Sequence, residues 1–219
     1  DEMTTRCNEI FSIQVGGLAT RLFHTGIKKA VVGISGGLDS TLALLVMVKT
    51  FDKLGLPREN IVGITMPGFG TTGRTYNNSL NMMKSLGVTI KEVDIKPACL
   101  QHLKDIDHDL SILDVSYENT QARERTQILM DYANKIGGLV VGTGDLSELV
   151  LGWATYNGDH MSMYAVNTSI PKTLVRYMVK YAALYEMDEA AKETLLDVCD
   201  TPVSPELLPA DDKGEISQK

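Results

Sequence analysis

Two kinds of apolar pattern alternate along the chain. Short unbroken runs occur at Ala30-Val31-Val32-Gly33-Ile34, Ile61-Val62-Gly63-Ile64-Thr65-Met66 and Gly138-Leu139-Val140-Val141-Gly142-Thr143, with a more mixed run at Val88-Thr89-Ile90-Lys91-Glu92-Val93-Asp94. Continuous apolar runs of this length predict strands covered on both faces, as in a parallel sheet. Between them, apolar residues recur at helical spacing. Residues 4–27 predict an amphipathic packing or interface helix from Ile10, Ile13, Val15, Leu18, Leu22 and Phe23, ended by Gly26. Further helices are expected at Leu42–Val48, about 75–86, 96–113 (partly exposed, with His102 and His108 among acids), about 118–136, from Gly144-Asp145, and after Pro171. Strand and helix in alternation predict an α/β fold, an open parallel sheet wrapped by helices with right-handed connections.

The first strand runs into Ser35-Gly36-Gly37-Leu38-Asp39-Ser40-Thr41 and then an apolar helix. Glycines let a backbone approach an anion, and the amides that open a helix have no partner within it. Such a turn suits phosphate. No Lys follows Gly37, so it is not the G-x-x-x-x-G-K-[ST] loop. An acid inside a phosphate turn needs a cation between the two, so Asp39 argues for Mg²⁺. The bland reading is an ordinary βα turn with a helix cap.

A second glycine pattern competes. Gly68-Phe69-Gly70-Thr71-Thr72-Gly73 fits G-x-G-x-x-G between a strand and a helix, and Asp94 stands where a ribose-binding acid is expected. Taken literally it describes a nicotinamide oxidoreductase. Pro67 loosens that turn, so the alternative is a flexible loop over the sheet's carboxyl edge.

Ligands of open α/β sheets lie outside the carboxyl ends of the strands. That rule puts Thr143 and Glu148 on the same rim as Ser35–Ser40, and Glu148 can complete a Mg²⁺ site with Asp39. Equally, Asp145 and Glu148 simply favour a helix start. Asn119 and Arg123, four residues apart, share a helical face, and an Arg fork suits phosphate or carboxylate. Arg125 is expected to pair with acids of its own helix. Trp153, the only Trp, is either a core plug or a stacking platform. Lys172 puts a cation at a helix N-terminus, where the dipole disfavours it, so phosphate neutralisation is its expected use.

Composition narrows the classes. At 219 residues, 43% hydrophobic and 22% charged, the chain can bury one sizeable core. A net charge of −7 argues against a general nucleic-acid or anionic-membrane surface. Cys7, Cys99 and Cys199 form no C-x-x-C pair, which predicts a reduced, cytoplasmic protein without a zinc site. No apolar run is long enough to span a membrane. The Asp-Glu-Met opening has no basic leader and reads as a piece of something longer.

The S-G-G-x-D-S turn resembles the pyrophosphate loop of the ATP-pyrophosphatase superfamily, which implies an adenine-nucleotide alpha-hydrolase-like (Rossmann-like) fold. Further segments are similar to the NAD synthetases in it, the glutamine-dependent bacterial form in particular: Met66–Thr72, Glu118–Arg125, Gly142–Glu148, Gly152–Tyr156 and Ser204–Leu207. The resemblance implies a C–N ligase that adenylates the nicotinate carboxylate of deamido-NAD with ATP, then amidates it with ammonia. It implies that Gly33, Ile34, Ser35, Gly36, Gly37, Leu38, Asp39 and Ser40 cradle pyrophosphate. Asp39 and Glu148 would hold Mg²⁺, and Thr143 and Lys172 would contact ATP, with Asp39 and Lys172 catalytic. Asn119, Arg123, Trp153, Ala154, Thr155 and Tyr156 would bind deamido-NAD, with Asp159 assisting, although the ammonia-using members carry Lys where Tyr156 stands. Thr201 and Ser204 would close over the phosphates. It also implies that residues 1–219 are the synthetase domain, that the family's amidase domain is not among them, that the domain continues past Lys219, and that the protein is a homodimer or larger homo-oligomer. The alternatives are another member such as a GMP synthetase or tRNA-modifying enzyme, or a non-catalytic nucleotide-binding module.

Overall fold

The structure, a computed structural model, describes residues 2–201 together with residue 207. Five strands form one parallel sheet: β1 (Ala30–Gly33), β2 (Ile61–Thr65), β3 (Thr89–Glu92), β4 (Leu139–Gly142) and β5 (Tyr164–Ala165). Their spatial order is β3-β2-β1-β4-β5. Ala30 stands beside both Ile61 and Leu139, so β1 is flanked on both sides. The helices are α1 (Glu2–Thr25), α2 (Leu38–Leu54), α3 (Gly73–Leu86), α4 (Lys96–Asp105), α5 (Val115–Ile136), α6 (Leu146–Leu151), α7 (Lys172–Tyr185) and α8 (Glu189–Asp200).

The unbroken apolar runs are explained by two cores, one on each face. Ala30, Val32, Ile61, Leu139 and Val141 point into the larger core, shared with α1, α2, α3, α7 and α8. Val31, Val62, Ile64 and Val140 point to the other face, covered by α4 and α5. α2 is buried nearly all round, between the sheet and α1 and α7, which fits its run of Leu42 to Val48. Gly63 has no side chain because Met83 fills that space: a Cβ there would collide with the Met83 sulfur.

Three expectations are corrected. In α1 the buried stripe is Cys7, Phe11, Gln14, Val15, Leu18, Ala19 and Leu22, while Ile13 and Phe23 are 74% and 79% exposed. Ile13 lies about 200° round the helix from Val15, so both cannot face the core. The helix expected over 96–113 stops at Asp105. Asp107 takes φ +54°, and the amides of Asp107 and His108 return to Lys104 O and Leu103 O, which closes the helix. His108 is not solvated: its ring is largely covered and Nε2 lies 2.9 Å from Asp114 Oδ1.

Candidate active site

In this strand order the chain leaves β1 toward β2 on one side, and later returns to place β4 on the other. The crevice outside the carboxyl ends of β1 and β4 is therefore the switch point at which open α/β sheets bind ligands. A cleft of about 630 Å³ opens there.

The β1–α2 turn forms its floor. Ile34 N–H still bonds Ile64 O at 2.9 Å, so the strand continues into the turn. Gly36 then takes φ +89°, and a Cβ there would collide with Thr75 O. Only glycine fits, on both conformation and space. Gly37 N–H donates to Ser35 Oγ (3.2 Å), while Ser40 and Thr41 hydroxyls donate back to Gly37 O (3.1 and 2.8 Å). The first helical bond is Thr41 N–H to Gly37 O, so the preceding amides of α2 have no intrahelical acceptor. Gly33, Ile34, Ser35, Gly37, Leu38, Asp39 and Ser40 all line the cleft; Gly36 lies behind it, against α3.

On the facing rim stands a charge cluster. Lys172 Nζ touches Asp39 Oδ2, lies 2.9 Å from Asp145 Oδ2 and 3.1 Å from Glu148 Oε1. Asp145 is fully buried and caps α6, accepting from Glu148 N–H at 2.9 Å, while Glu148 Oε2 accepts from Asp145 N–H at 3.1 Å. Of the readings of Glu148, the helix start holds, since it completes a capping box with one oxygen; its other oxygen meets Lys172 beside Asp39. Lys172 is the first residue of α7, and its own amide is tied to Ser147 Oγ (3.0 Å), which brings α6 and α7 into register at the site.

Burial pushes the Asp39 carboxyl up to about 7; its bond to Lys172 opposes this and the charges of Glu148 and Asp145 add to it. Burial by itself would depress Lys172. Hydrogen bonds to Asp39 and Asp145 reverse that and hold the ammonium above its ordinary value.

The donor set fits a hard divalent cation. Asp39, Asp145 and Glu148 each offer an oxygen within 4.8 Å of the others. Asp39 Oδ1 is buried with no hydrogen-bond partner among the described residues. Three carboxylates and one ammonium sum to about −2, which a Mg²⁺ balances, and oxygen-only ligands suit it.

Asn119, Arg123, Ala154, Thr155 and Tyr156 gather on one shoulder rather than inside the cleft. Asn119 Oδ1 accepts from Thr155 Oγ1 (2.7 Å) and Arg123 Nε donates to Tyr156 O (3.1 Å), so α5 holds the 152–160 loop. Asp159 Oδ1 accepts from Thr155 N–H at 2.7 Å. Tyr156 and Ala154 are exposed, and the Tyr156 ring stacks on His160. Trp153 is 62% exposed, so it is no core plug; with Asp159 it reaches the cleft wall. Thr143 and Thr201 also line the cleft. Ser204 lies outside the described residues.

Three groups escaped the reading of the sequence. Asp145 is a third acid of the cluster, hidden by its second role as a helix cap. Arg125 reaches out of its helix to Met66 O (3.1 Å) and lines the cleft. Asn167 is fully buried and bonded to Asp39 O in the first turn of α2 and to Thr143 O just after β4. It follows a two-residue strand that carries no readable periodicity.

Comparison with known proteins agrees with this geometry. A family model described as NAD synthase matches residues 11–188. The glutamine-dependent NAD(+) synthetase of Mycobacterium leprae is 44% identical over 216 residues, 96% of this chain and 32% of that one. The NH(3)-dependent NAD(+) synthetase of Pyrobaculum aerophilum is 35% identical over 184 residues, covering 84% of this chain and 63% of that one. Among solved structures, the glutamine-dependent NAD+ synthetase of Acinetobacter baumannii in complex with ADP superposes with a TM-score of 0.77 at 27% identity, over 86% of this chain and 35% of that one. The chain thus spans about a third of the length of its glutamine-dependent relatives. With the matched model covering most of its length, the chain belongs to the NAD synthase family.

Proposed function

We propose that this chain carries the ligase chemistry of its family: ATP-dependent adenylation of the nicotinate carboxylate of deamido-NAD, then amidation by ammonia to give NAD, AMP and pyrophosphate. A carboxylate cannot expel oxide, so a leaving group must be built. A carboxylate oxygen bonds to the α-phosphorus and the bond to pyrophosphate breaks. Ammonia then bonds to the acyl carbon, the bond to AMP breaks, and the nitrogen sheds its extra proton. Positioning and charge neutralisation are what the protein supplies.

The observation that carries this reading is the Lys172-bound acid cluster facing a glycine turn across the switch point. The opening amides of α2 and the hydroxyls of Ser35 and Ser40 bind the β- and γ-phosphates. Lys172 is the mobile cation of the site, able to leave the acids for a phosphate oxygen. Asp39 and Glu148, with Asp145, would hold Mg²⁺, which neutralises phosphate charge when bound. Thr143 and Thr201 lie along the triphosphate. Asn119, Arg123, Trp153, Ala154, Thr155, Tyr156 and Asp159 form the shoulder for deamido-NAD, with the exposed indole as its stacking surface. The ADP in the Acinetobacter baumannii relative supports an adenine nucleotide here. The names of the relatives support glutamine or ammonia as the nitrogen source; in a longer protein an amidase domain would deliver it, residues 1–219 being the synthetase domain.

Leu149, Val150 and Leu151 expose an apolar edge beside Trp153, which supports a homodimer or larger homo-oligomer. The three free, buried cysteines support a reducing, cytoplasmic setting. Among the described residues no helix is long and apolar enough to cross a membrane. The test is incubation with ATP, Mg²⁺, ammonium and deamido-NAD, following NAD, AMP and pyrophosphate in equal amounts. Turnover of xanthosine monophosphate in place of deamido-NAD would turn the reading toward a GMP synthetase.

A further inference from the structure

Asn167 is 0% exposed, and every polar hydrogen of its carboxamide is used. Nδ2 donates to Asp39 O at 2.9 Å and to Thr143 O at 3.1 Å. One carbonyl lies in the first turn of α2, just past the turn that leaves β1, and the other in the segment leaving β4. Oδ1 accepts from Gln14 Nε2 at 3.2 Å, and the same nitrogen donates to Val166 O at 2.8 Å. The Gln14 bond fixes which way the Asn167 amide points: flipped, its oxygen would face two carbonyls. Serine can supply one of the two donors, whereas aspartate and leucine supply neither.

Gln14 is the second observation. It sits in the buried stripe of α1 between Phe11 and Leu18, where an apolar side chain is expected. Its Oε1 is buried without a partner among the described residues, which is unfavourable for folding. A polar residue held there at such a cost is explained by what its other end does, which is to orient Asn167.

We propose that Asn167 is a positioning residue for the phosphate site, with Gln14 setting its orientation. The carboxamide fixes the separation between the Asp39 turn and the Thr143 loop, so the Asp39 carboxylate and the opening amides of α2 meet the nucleotide at one geometry. This rests on the reading of the cleft as an ATP site. It differs from that reading in naming a side chain that touches no phosphate.

The experiment compares wild type, Asn167→Ser, Asn167→Ala and Gln14→Leu by urea midpoint and by calorimetric affinity for ATP with Mg²⁺. Asn167→Ser keeps one donor and is expected to weaken ATP roughly tenfold, as loss of one buried hydrogen bond implies. Asn167→Ala is expected to weaken it further. Gln14→Leu removes the unpaired Oε1 but also takes the donor from Asn167 Oδ1 and Val166 O, so its midpoint should fall modestly while ATP affinity, measured where the variant is fully folded, falls roughly threefold or more. Loss of ATP affinity under conditions where each variant is fully folded is a result that a merely structural role, which lowers only the midpoint, does not give. Unchanged ATP affinity in Asn167→Ser overturns the proposal; should that variant fail to fold, unchanged affinity in Gln14→Leu overturns it instead. A wild type that binds ATP yet makes no NAD refutes the proposed reaction and leaves the Asn167 comparison standing. A wild type that binds no ATP refutes both.

Discussion

The chain carries two glycine-rich βα turns that look alike on paper, and the fold uses them differently. The turn after β1 lies beside β4 at the switch point, with charged groups from α6 and α7 opposite. The Gly68–Gly73 turn follows β2, whose other neighbour is the edge strand β3. There Gly68 N–H donates to Thr71 Oγ1 (2.9 Å) and Phe69 N–H to Gln121 Oε1 (3.1 Å), so its first amides are spent within the protein. Phe69 packs on Tyr117 of α5. Asp94, the would-be ribose ligand, instead accepts from Lys96 N–H at the start of α4. The second turn is a wall of the cleft, contributing Pro67 and Thr71, and not a dinucleotide loop. What separates the two is that the second turn's first amides are already bonded within the protein, whereas the opening amides of α2 have no intrahelical acceptor.

Substitutions should separate the two turns. The largest effect is expected from Gly36→Ala: a positive φ and a collision with Thr75 O together should cost about 3 kcal/mol or more in the urea midpoint and abolish ATP binding. Wild-type behaviour would mean the turn is not built as described. Next, Asp39→Asn should lower Mg²⁺-dependent pyrophosphate release by roughly 10²-fold or more with the fold intact. Equal release would remove Asp39 from any metal role.

Acid titration gives a third contrast. The Asp39 carboxyl is raised from 3.8 to about 7, so between those values the folded protein binds more protons than the unfolded chain. Stability should therefore fall as pH rises through that window, and Mg²⁺ affinity should climb over the same range as the carboxylate ionises. Asp39→Asn should flatten the stability slope; an unchanged slope would place its origin elsewhere. Smaller again is Gly68→Ala. Its Cβ would meet the movable ends of Gln121 (2.6 Å) and Arg125 (3.1 Å), so about 1 kcal/mol of stability should go, with ATP affinity changed less than about threefold. The smallest change is expected from Asp94→Asn, which keeps a cap acceptor and should shift the midpoint by no more than about 0.5 kcal/mol without creating or removing NADH binding.

Much of this was legible locally. Strand β1 reads as buried on both faces because Val31 and Val32 face different cores, and an unbroken apolar run has no other cause in a sheet. The glycine turn after β1 reads equally well as a turn that opens a helix, because glycine, acid and helix start act over a few neighbouring residues. The α1 face was misjudged at Ile13 and Phe23 because hydrophobicity does not say which of two adjacent apolar positions meets α2. Asp145 was read as a helix cap, correctly but incompletely. Its second oxygen meets Lys172, and nothing near Asp145 in the chain announces that.

By itself, then, the sequence determined four of the five strands and most of the helices, offered two glycine turns as phosphate sites, and showed which family the chain resembles. Those properties depend on periodicity and on contacts between near neighbours. The tertiary structure alone decided which glycine turn faces Lys172, that three acids share that lysine, and that Asn167 joins the start of α2 to the segment after β4. Each of these is a meeting of residues distant in the chain, and its energy appears only once the sheet order has brought β1, β4 and the start of α7 to one rim.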